Sequence, residues 1–145
     1  MHLSGSSCYF ANEMRDDLNN NSEGAEGVSL RGLDAYGPFT RYPAAGGVNR
    51  FSFVANDKHT GGQENVARAI LAAFAQAAME SSATGESRAV IVSLGCDFVA
   101  DAHAGERIEA HVRVVRRTRS LTFLTADLIA GGRILLTANG LAKCD

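Results

Sequence analysis

Apolar residues recur with the period of an α-helix in one long stretch of the chain, from Glu64 to Ser81. Their spacing of three and four residues predicts a helix with one buried face. The opposite side carries mostly alanine, so protein can cover much of the helix circumference. The positions on the predicted buried face are Val66, Ala69, Ile70, Ala73, Phe74 and Ala77.

Four segments after this helix alternate apolar and polar residues or are rich in β-branched residues, which predicts strands. Short connections between them predict antiparallel neighbours, with Gly131 and Gly132 as a two-residue hairpin turn. A shorter strand around Phe51 and Phe53 precedes the helix. This order predicts an α+β domain in which a curled antiparallel β-sheet wraps one long central helix. The four segments are RAVIVSLGCDFV, ERIEAHVRVVRR, RSLTFLTADLIA and RILLTANGLAKC.

The amino-terminal part of the chain has a different composition. Residues 12–32 are rich in Asn, Gly and acidic side chains and offer little surface to bury. A chain of 145 residues is long enough for one core. We therefore expect a polar, mobile leader over residues 1–32 and a single domain over residues 33–145.

Charge and composition narrow the function classes. A net charge of -2 argues against binding to nucleic acid, and no apolar run approaches the roughly 20 residues that cross a membrane. Cys8, Cys96 and Cys144 are too few and too scattered for a disulfide framework, and no His, Cys or Asp cluster has metal-ligand spacing. We expect a cytoplasmic protein with no metal, no cofactor and neither nucleic acid nor membrane as a partner.

Two phrases and the order of elements resemble the hotdog-fold acyl-CoA thioesterases, in particular the phenylacetic-acid-pathway group. The phrases are DKHTGGQENVARAILAAFAQAA and DFVADAHAGERIEAHVRVVRRTRSLTFLTADLIAGGRILLTANGLAK. The resemblance implies the hotdog fold, an acyl thioester as ligand with coenzyme A as its carrier, and assembly into homodimers or homotetramers. Edge strands and a half-exposed helix give such pairing a physical motive.

The resemblance can be aligned in two ways. That family's helix begins after a phrase of the type H-x-N-x-x-G-x-x-H-G-G, with an acid seven residues beyond the second glycine. Matching residues 60–62 to H-G-G puts Ala69 at the acid position. The ungapped alignment, which we prefer because all later strands then match, puts His59 on the first histidine and Gln76 on the acid. His59 is then a candidate base, or a turn residue.

In the preferred alignment Arg68 and Ala69 replace the two glycines whose amides would stabilise an oxyanion. Ile91 replaces the serine or threonine that orients water. The resemblance thus implies a site without its usual acid, because a glutamine amide such as Gln76 can hold water but is no general base. Two functions stay open: an acyl-CoA thioesterase-like hydrolase, or a non-catalytic module that binds a small apolar or acyl ligand or serves in assembly.

Gln76 shares one helical stripe with Asn65, Arg68 and Ala72. The stripe is either solvated or lines the thioester groove. Arg68 either pairs with Glu64, four residues before it, or contacts a carboxylate or phosphate of the ligand.

A basic turn follows the second of the four strands, at Arg116, Arg117 and Arg119 with Ser120 beside them. Taken alone, this charge pattern is typical of a solvated turn. The resemblance implies a second interpretation, in which the turn holds coenzyme A phosphates, and guanidinium groups match phosphate geometry well.

Overall fold

The segment with apolar residues at helical spacing around residue 70 forms one long helix, and the segments with alternating apolar and polar residues form strands. A computed structural model describes residues 24–83 and 88–144, so the segment 1–23 of the predicted leader lies outside the described residues. The helices are α1 (Asp57–Thr60), which has a single turn, and the long helix α2 (Arg68–Ala83). The strands are β1 (Glu26–Val28), β2 (Phe39–Ala45), β3 (Val48–Val54), β4 (Ala89–Phe98), β5 (Arg107–Arg117), β6 (Leu121–Ala130) and β7 (Arg133–Cys144).

The strands form one curled antiparallel sheet in the order β1-β2-β3-β5-β6-β7-β4, which confirms the predicted fold class. One predicted pairing is wrong, because β4 pairs with β7 and not with β5. The short link 99–106 crosses the end of the sheet instead of turning back beside β4. Two backbone hydrogen bonds hold this link: the N–H of Val99 donates to the carbonyl of Leu135 (2.8 Å), and the N–H of Gly105 donates to the carbonyl of Ala55 (2.8 Å).

The predicted hairpin at Gly131 and Gly132 is confirmed, because Ala130 pairs with Arg133 across it. The φ angles of the two glycines are 58° and 79°, a left-handed conformation that glycine adopts without steric cost. The β6–β7 turn can therefore be as short as two residues.

The sequence predicts one strand before the long helix, and the structure has three. Pro43 hides β2 in the sequence pattern, but it lies where the pairing with β3 shifts between Tyr42 and Ala45, a place where a sheet tolerates proline. Strand β1 lies inside the predicted leader 1–32, and Leu30 is 1% exposed. The residues that join the fold thus include some before the predicted boundary at residue 33.

Helix α2 begins at Arg68, four residues later than the predicted start at Glu64, and ends at Ala83. The residues ahead of it are not helical, because the N–H of Val66 donates to the carbonyl of Ala102 in the link 99–106 (2.8 Å). The Val66 side chain is nevertheless 2% exposed, so it fits the apolar period without being part of the helix.

The core lies between α2 and the inner face of the sheet. Phe74 stacks on Phe39 (ring centroids 5.7 Å apart) and meets Phe53 edge-on (4.8 Å). Such aromatic pairs stabilise a core by about 0.5–1.5 kcal/mol beyond the burial of their area. Alanine at neighbouring helix positions lets the helix backbone approach the strands closely. The helix positions that are completely buried are Leu71, Phe74, Ala75, Ala78 and Met79.

Gly140 in β7 is a point of very close approach between the sheet and α2. A Cβ at this position would lie 2.5 Å from Sδ of Met79 and 3.2 Å from Cδ1 of Ile91. Met79 is completely buried, so its side chain can move only by displacing other core residues. The close packing of helix and sheet here requires glycine.

We expect Gly140→Ala to lower the free energy of unfolding by about 1–3 kcal/mol, because an added methyl group overpacks a closed core. Chemical denaturation measures the change. Gly95→Ala in β4 is the matched control, since a Cβ there meets nothing within 4 Å. The double variant with Met79→Ala should lose less than the sum of the two single changes. Equal stability of Gly140→Ala and wild type would contradict this packing argument.

The link 99–106 is fastened to the β6–β7 hairpin by an ion pair between Glu106 and Arg133. The guanidinium donates to both carboxylate oxygens (2.8 and 2.7 Å) and to the carbonyl of Asp101 (2.8 Å). The N–H of His103 also donates to the Glu106 carboxylate (2.8 Å). The hydrogen bonds from Arg133 are the main reason that the pKa of Glu106 is lowered from 4.5 to about 2.

The lowered pKa of Glu106 predicts a pH-dependent contribution to stability. The stabilisation is fully present above the ordinary pKa of 4.5 and is lost as the pH falls through about 2. At neutral pH we expect Glu106→Gln to be less stable than wild type by on the order of 1 kcal/mol, since the pair is partly exposed. Thermal unfolding across this pH range should show the difference shrinking towards zero in acid. A stability difference between wild type and Glu106→Gln that stays constant with pH would refute the stabilising role of the ionised Glu106 carboxylate.

Candidate functional site

Gln76 lies on the exposed side of α2, in one stripe with Arg68 and Ala72. The fourth predicted member of the stripe, Asn65, is outside the helix, and its Oδ1 lies 2.8 Å from Nδ1 of His103. The exposed amide of Gln76 can bind water, but it offers no ionisable group. The helix therefore presents a polar stripe without an acid at the predicted acid position.

Arg68 and Ala69 are both exposed at the start of α2. The predicted pairing of Arg68 with Glu64 is wrong, because Glu64 precedes the helix; Nη2 of Arg68 lies 3.7 Å from Oδ1 of Asp101 instead. The guanidinium also lies over the ring of Phe98, 5.4 Å from its centroid. The arginine is thus held near the end of β4, with 60% of its side chain still exposed.

The backbone amides at this helix end divide into two pairs. The N–H groups of Val66 and Ala67 donate to the carbonyls of Ala102 (2.8 Å) and His59 (3.1 Å). Among the described residues, the N–H groups of Arg68 and Ala69 donate to no backbone carbonyl. The first helical turn therefore offers two amides of the kind that stabilise an oxyanion, and these are the two predicted positions.

His59 is buried, with 2% of its surface exposed, and both of its ring nitrogens have partners. Nδ1 accepts the N–H of Asn56 (3.0 Å), and Nε2 donates to the carbonyl of Tyr36 (2.7 Å). Because an N–H only donates and a carbonyl only accepts, the ring is neutral with its proton on Nε2. His59 caps α1 and ties it to the short 3₁₀ turn at Asp34–Tyr36, which favours the structural interpretation of this residue.

Sequence reasoning missed Glu80. This residue lies one helical turn beyond Gln76 and is 9% exposed, and its carboxylate accepts the N–H of Ile91 through Oε2 (2.9 Å). Ile91, the predicted water-orienting position, lies where the pairing of β4 with β7 shifts before Ser93. The sequence does single out Glu80 in one respect, because it is the one acidic residue between Arg68 and Ala83 in an otherwise mostly apolar helix.

A cavity of about 340 Å³ opens beside Glu80. Its volume is at the lower end of the range for small-molecule sites. The exposed arginines Arg31 and Arg88 border it, whereas Ala77 and Ala89 contribute small walls that leave room inside. The arrangement can hold water or a small polar group against the carboxylate, with two cations at the rim. The full lining is Ser29, Arg31, Ala77, Glu80, Ser81, Arg88 and Ala89.

The predicted basic turn lies at the far end of α2. Arg116, Arg119 and Ser120 are exposed, and Nη2 of Arg117 donates to the carbonyl of Ala83, the last residue of the helix (3.4 Å). A cation at a helix carboxyl end is stabilised by the helix dipole. The carbonyl of Ser120 accepts the N–H of Cys144 (2.9 Å). Because Cys144 pairs with Ala89, the basic turn lies close to the cavity.

The predicted site residues therefore fall into two groups. Asn65, Arg68 and Ala69 lie at the start of α2, whereas Arg117 lies at its end, and the 16 residues of the helix span roughly 24 Å. Ile91 belongs to the second group, because its N–H donates to the carboxylate of Glu80 near the carboxyl end of α2. Gln76 lies between the groups.

The described part of the chain contains neither a metal-binding cluster nor a membrane-spanning helix. Over residues 24–83 and 88–144, no group of three or more His, Cys, Asp and Glu side chains is arranged to hold a metal ion. In the same residues, no helix has the length and apolar character needed to span a membrane.

Solved structures share this architecture. A mutant of the phenylacetic acid degradation protein PaaI from Thermus thermophilus superposes with a TM-score of 0.69 at 20% identity, over 77% of this chain and 96% of that one. Thioesterase superfamily member 2 from Mus musculus gives 0.69 at 16% identity, over 81% and 97%. A hypothetical thioesterase from Streptococcus pneumoniae, solved with coenzyme A, gives 0.65 at 10% identity, over 83% and 94%.

The TM-scores of these superpositions show the shared fold, and a sequence profile shows the family. No curated protein matches the chain in a sequence comparison. The profile described as the acyl-CoA thioesterase N-terminal domain matches residues 69–142, just over half of the chain, from the first turn of α2 to the end of β7. This protein therefore belongs to the acyl-CoA thioesterase family and is a thioesterase-like hotdog domain.

Proposed function

We propose that this protein binds acyl thioesters of the coenzyme A type, with the phosphates on the basic turn and the acyl end directed along α2. The observation that carries the proposal is the hydrogen bond from Arg117 to the carbonyl of Ala83, which holds the basic turn at the carboxyl end of α2. The coenzyme A held by the structural relative from Streptococcus pneumoniae supports the ligand class.

A second candidate function is binding without hydrolysis. It is favoured by Gln76, because an exposed amide stands where the family resemblance places an acid. The two candidates share the ligand and differ only in whether the thioester is cleaved. We also propose a cytoplasmic location, supported by the free thiols of Cys96 and Cys144.

We further propose that the protein forms a homodimer through β4. This strand lies at one edge of the sheet and is 10 residues long, whereas β1 at the other edge has 3. A long, exposed edge strand favours pairing with another chain. The exposed apolar side chains on and just after β4 are Val90, Val92, Phe98 and Val99. Arg68 lies over Phe98, so a partner on this edge would also adjoin the start of α2.

The phosphate-binding part of the proposal predicts the effect of removing two cations. We expect the double variant Arg116→Ala and Arg119→Ala to bind coenzyme A at least about tenfold more weakly, because each charge-assisted hydrogen bond is worth roughly 1.5–3 kcal/mol. Isothermal titration calorimetry measures the dissociation constant. Arg113→Ala, an exposed arginine nearer the middle of β5, is the matched control and should bind as wild type does. Unchanged affinity in the double variant would remove the basic turn from the site.

The dimer proposal predicts that a charge in the edge strand separates the subunits. Val92 is 57% exposed in β4, and Val54 is 50% exposed in β3. We expect Val92→Arg to be monomeric and Val54→Arg to remain dimeric, because like charges would face each other across a β4–β4 pairing. Light scattering after size-exclusion chromatography measures the mass. A monomeric wild type, or a dimeric Val92→Arg variant, would count against this interface.

A further inference from the structure

A row of polar side chains crosses the outer face of the sheet, the face turned away from α2. Tyr42, Arg50 and His111 are directly opposed on β2, β3 and β5, so their side chains share one face. Phe51, next to Arg50, belongs to the core on the inner face, which places the row on the outer face. All three polar residues are nevertheless buried, and Arg50 is only 1% exposed.

The described helices and strands provide no cover for this row. Helix α2 packs against the inner face, and the strands contact their neighbours within the sheet. A long polar side chain on a sheet face that meets water normally keeps its charged end in the solvent. The burial of Arg50 on the outer face therefore calls for a further cover.

The guanidinium of Arg50 also lacks an anion. Its Nη2 donates to the carbonyl of Pro43 (2.9 Å), and the group lies 5.9 Å from the ring centroid of Tyr42. Nε and Nη1 are buried and have no hydrogen-bond partner among the described residues, and no described carboxylate forms an ion pair with this arginine. A buried cation without such partners is costly, and a carboxylate matches the two remaining donors in geometry and charge.

We propose that the acidic amino-terminal segment, residues 1–23, docks on the outer face and brings a carboxylate to Arg50. The described chain starts at the right place for this. A Cβ on Gly24 would lie 2.9 Å from Cγ of Pro43, the residue whose carbonyl accepts the hydrogen bond from Arg50. The segment carries one arginine, Arg15, and four acids: Glu13, Asp16, Asp17 and Glu23. This inference is independent of the ligand proposed for α2.

The length of the segment is sufficient to cross the row. From β1 to β5 the sheet order has three steps, which at the usual strand spacing amount to roughly 14 Å. An extended chain covers about 3.3 Å per residue, so about five residues cross this distance. The segment therefore reaches beyond Arg50 with residues to spare.

Charge complementarity favours the same occupant. On the outer face Arg107 and Arg113 of β5 join Arg50, whereas the acids of β5 and β6 on this face are Glu109 and Asp127. Arginines thus outnumber acids on the face, and acids outnumber basic residues in the segment. Attraction between opposite charges directs the segment to this face.

A variant with a neutral segment tests the proposal. It carries the changes Glu13→Gln, Asp16→Asn, Asp17→Asn and Glu23→Gln. We expect its Tm to lie about 3–8 °C below that of wild type, because the buried guanidinium loses its anion. In an Arg50→Met background the same four changes should lower Tm by less than half as much, since their partner is gone. Lys143→Met, at an exposed cation three strands from β3, is the matched control background and should leave the full shift.

Trypsin cleavage after Arg15 gives a second measurement, which does not depend on whether Arg50→Met folds. Docking protects a segment from protease, and opening exposes it. We expect the neutral-segment variant to be cleaved after Arg15 at least about tenfold faster than wild type, at a temperature at which both remain folded. Mass spectrometry of the released peptide measures the rate.

Three outcomes would overturn the inference. The first is an equal shift of Tm in the wild-type and Arg50→Met backgrounds together with equal cleavage rates. The second is a shift that Lys143→Met reduces as much as Arg50→Met does, because the effect would then be one of overall charge. The third is rapid cleavage of wild type together with a Tm that rises with protein concentration, which would assign the cover of the outer face to a second copy of the chain.

Discussion

The contact between α2 and the inner face of the sheet is the constraint on which the rest of this structure depends. An apolar helix rich in alanine has no stable place in water, so the strands must curl around it to bury its surface. Close approach is possible because the helix side chains are small and because β7 has glycine at position 140, opposite Met79. The aromatic residues around Phe74 fill the space that remains.

The contact between α2 and the sheet also limits the positions at which polar groups can meet a ligand. The helix is buried along the sheet, so polar groups can act only on its exposed stripe, at its two ends, or at the contact with β4. Gln76 lies on the stripe, the amides of Arg68 and Ala69, which donate to no backbone carbonyl of the described residues, are at the start, and Arg117 is at the end. Glu80 occupies the contact with β4, where a shift in strand pairing brings the N–H of Ile91 to its carboxylate.

The link 99–106 explains why β4 is an edge strand. It carries the chain from the end of β4 across the sheet to β5, and the pair between Glu106 and Arg133 fixes it there. Its hydrogen bond to Val66 also sets the start of α2. One short connection thus defines both the free edge proposed for dimerisation and the amide pair at the helix start.

The sequence by itself determined the long helix, the four strands that follow it and the glycine hairpin, because each rests on local periodicity or local turn geometry. Its resemblance to the thioesterase family predicts Gln76 at the position of the usual acid, and that alignment stays a prediction. The sequence could not reveal β2, whose proline hides the alternation, nor the pairing of β4 with β7, since strand partners depend on contacts far apart in the chain. Only the tertiary structure decided that His59 is a buried cap and that Glu80 meets Ile91 beside a cavity. Burial and hydrogen bonding between distant segments are properties of the assembled fold, and no local pattern encodes them.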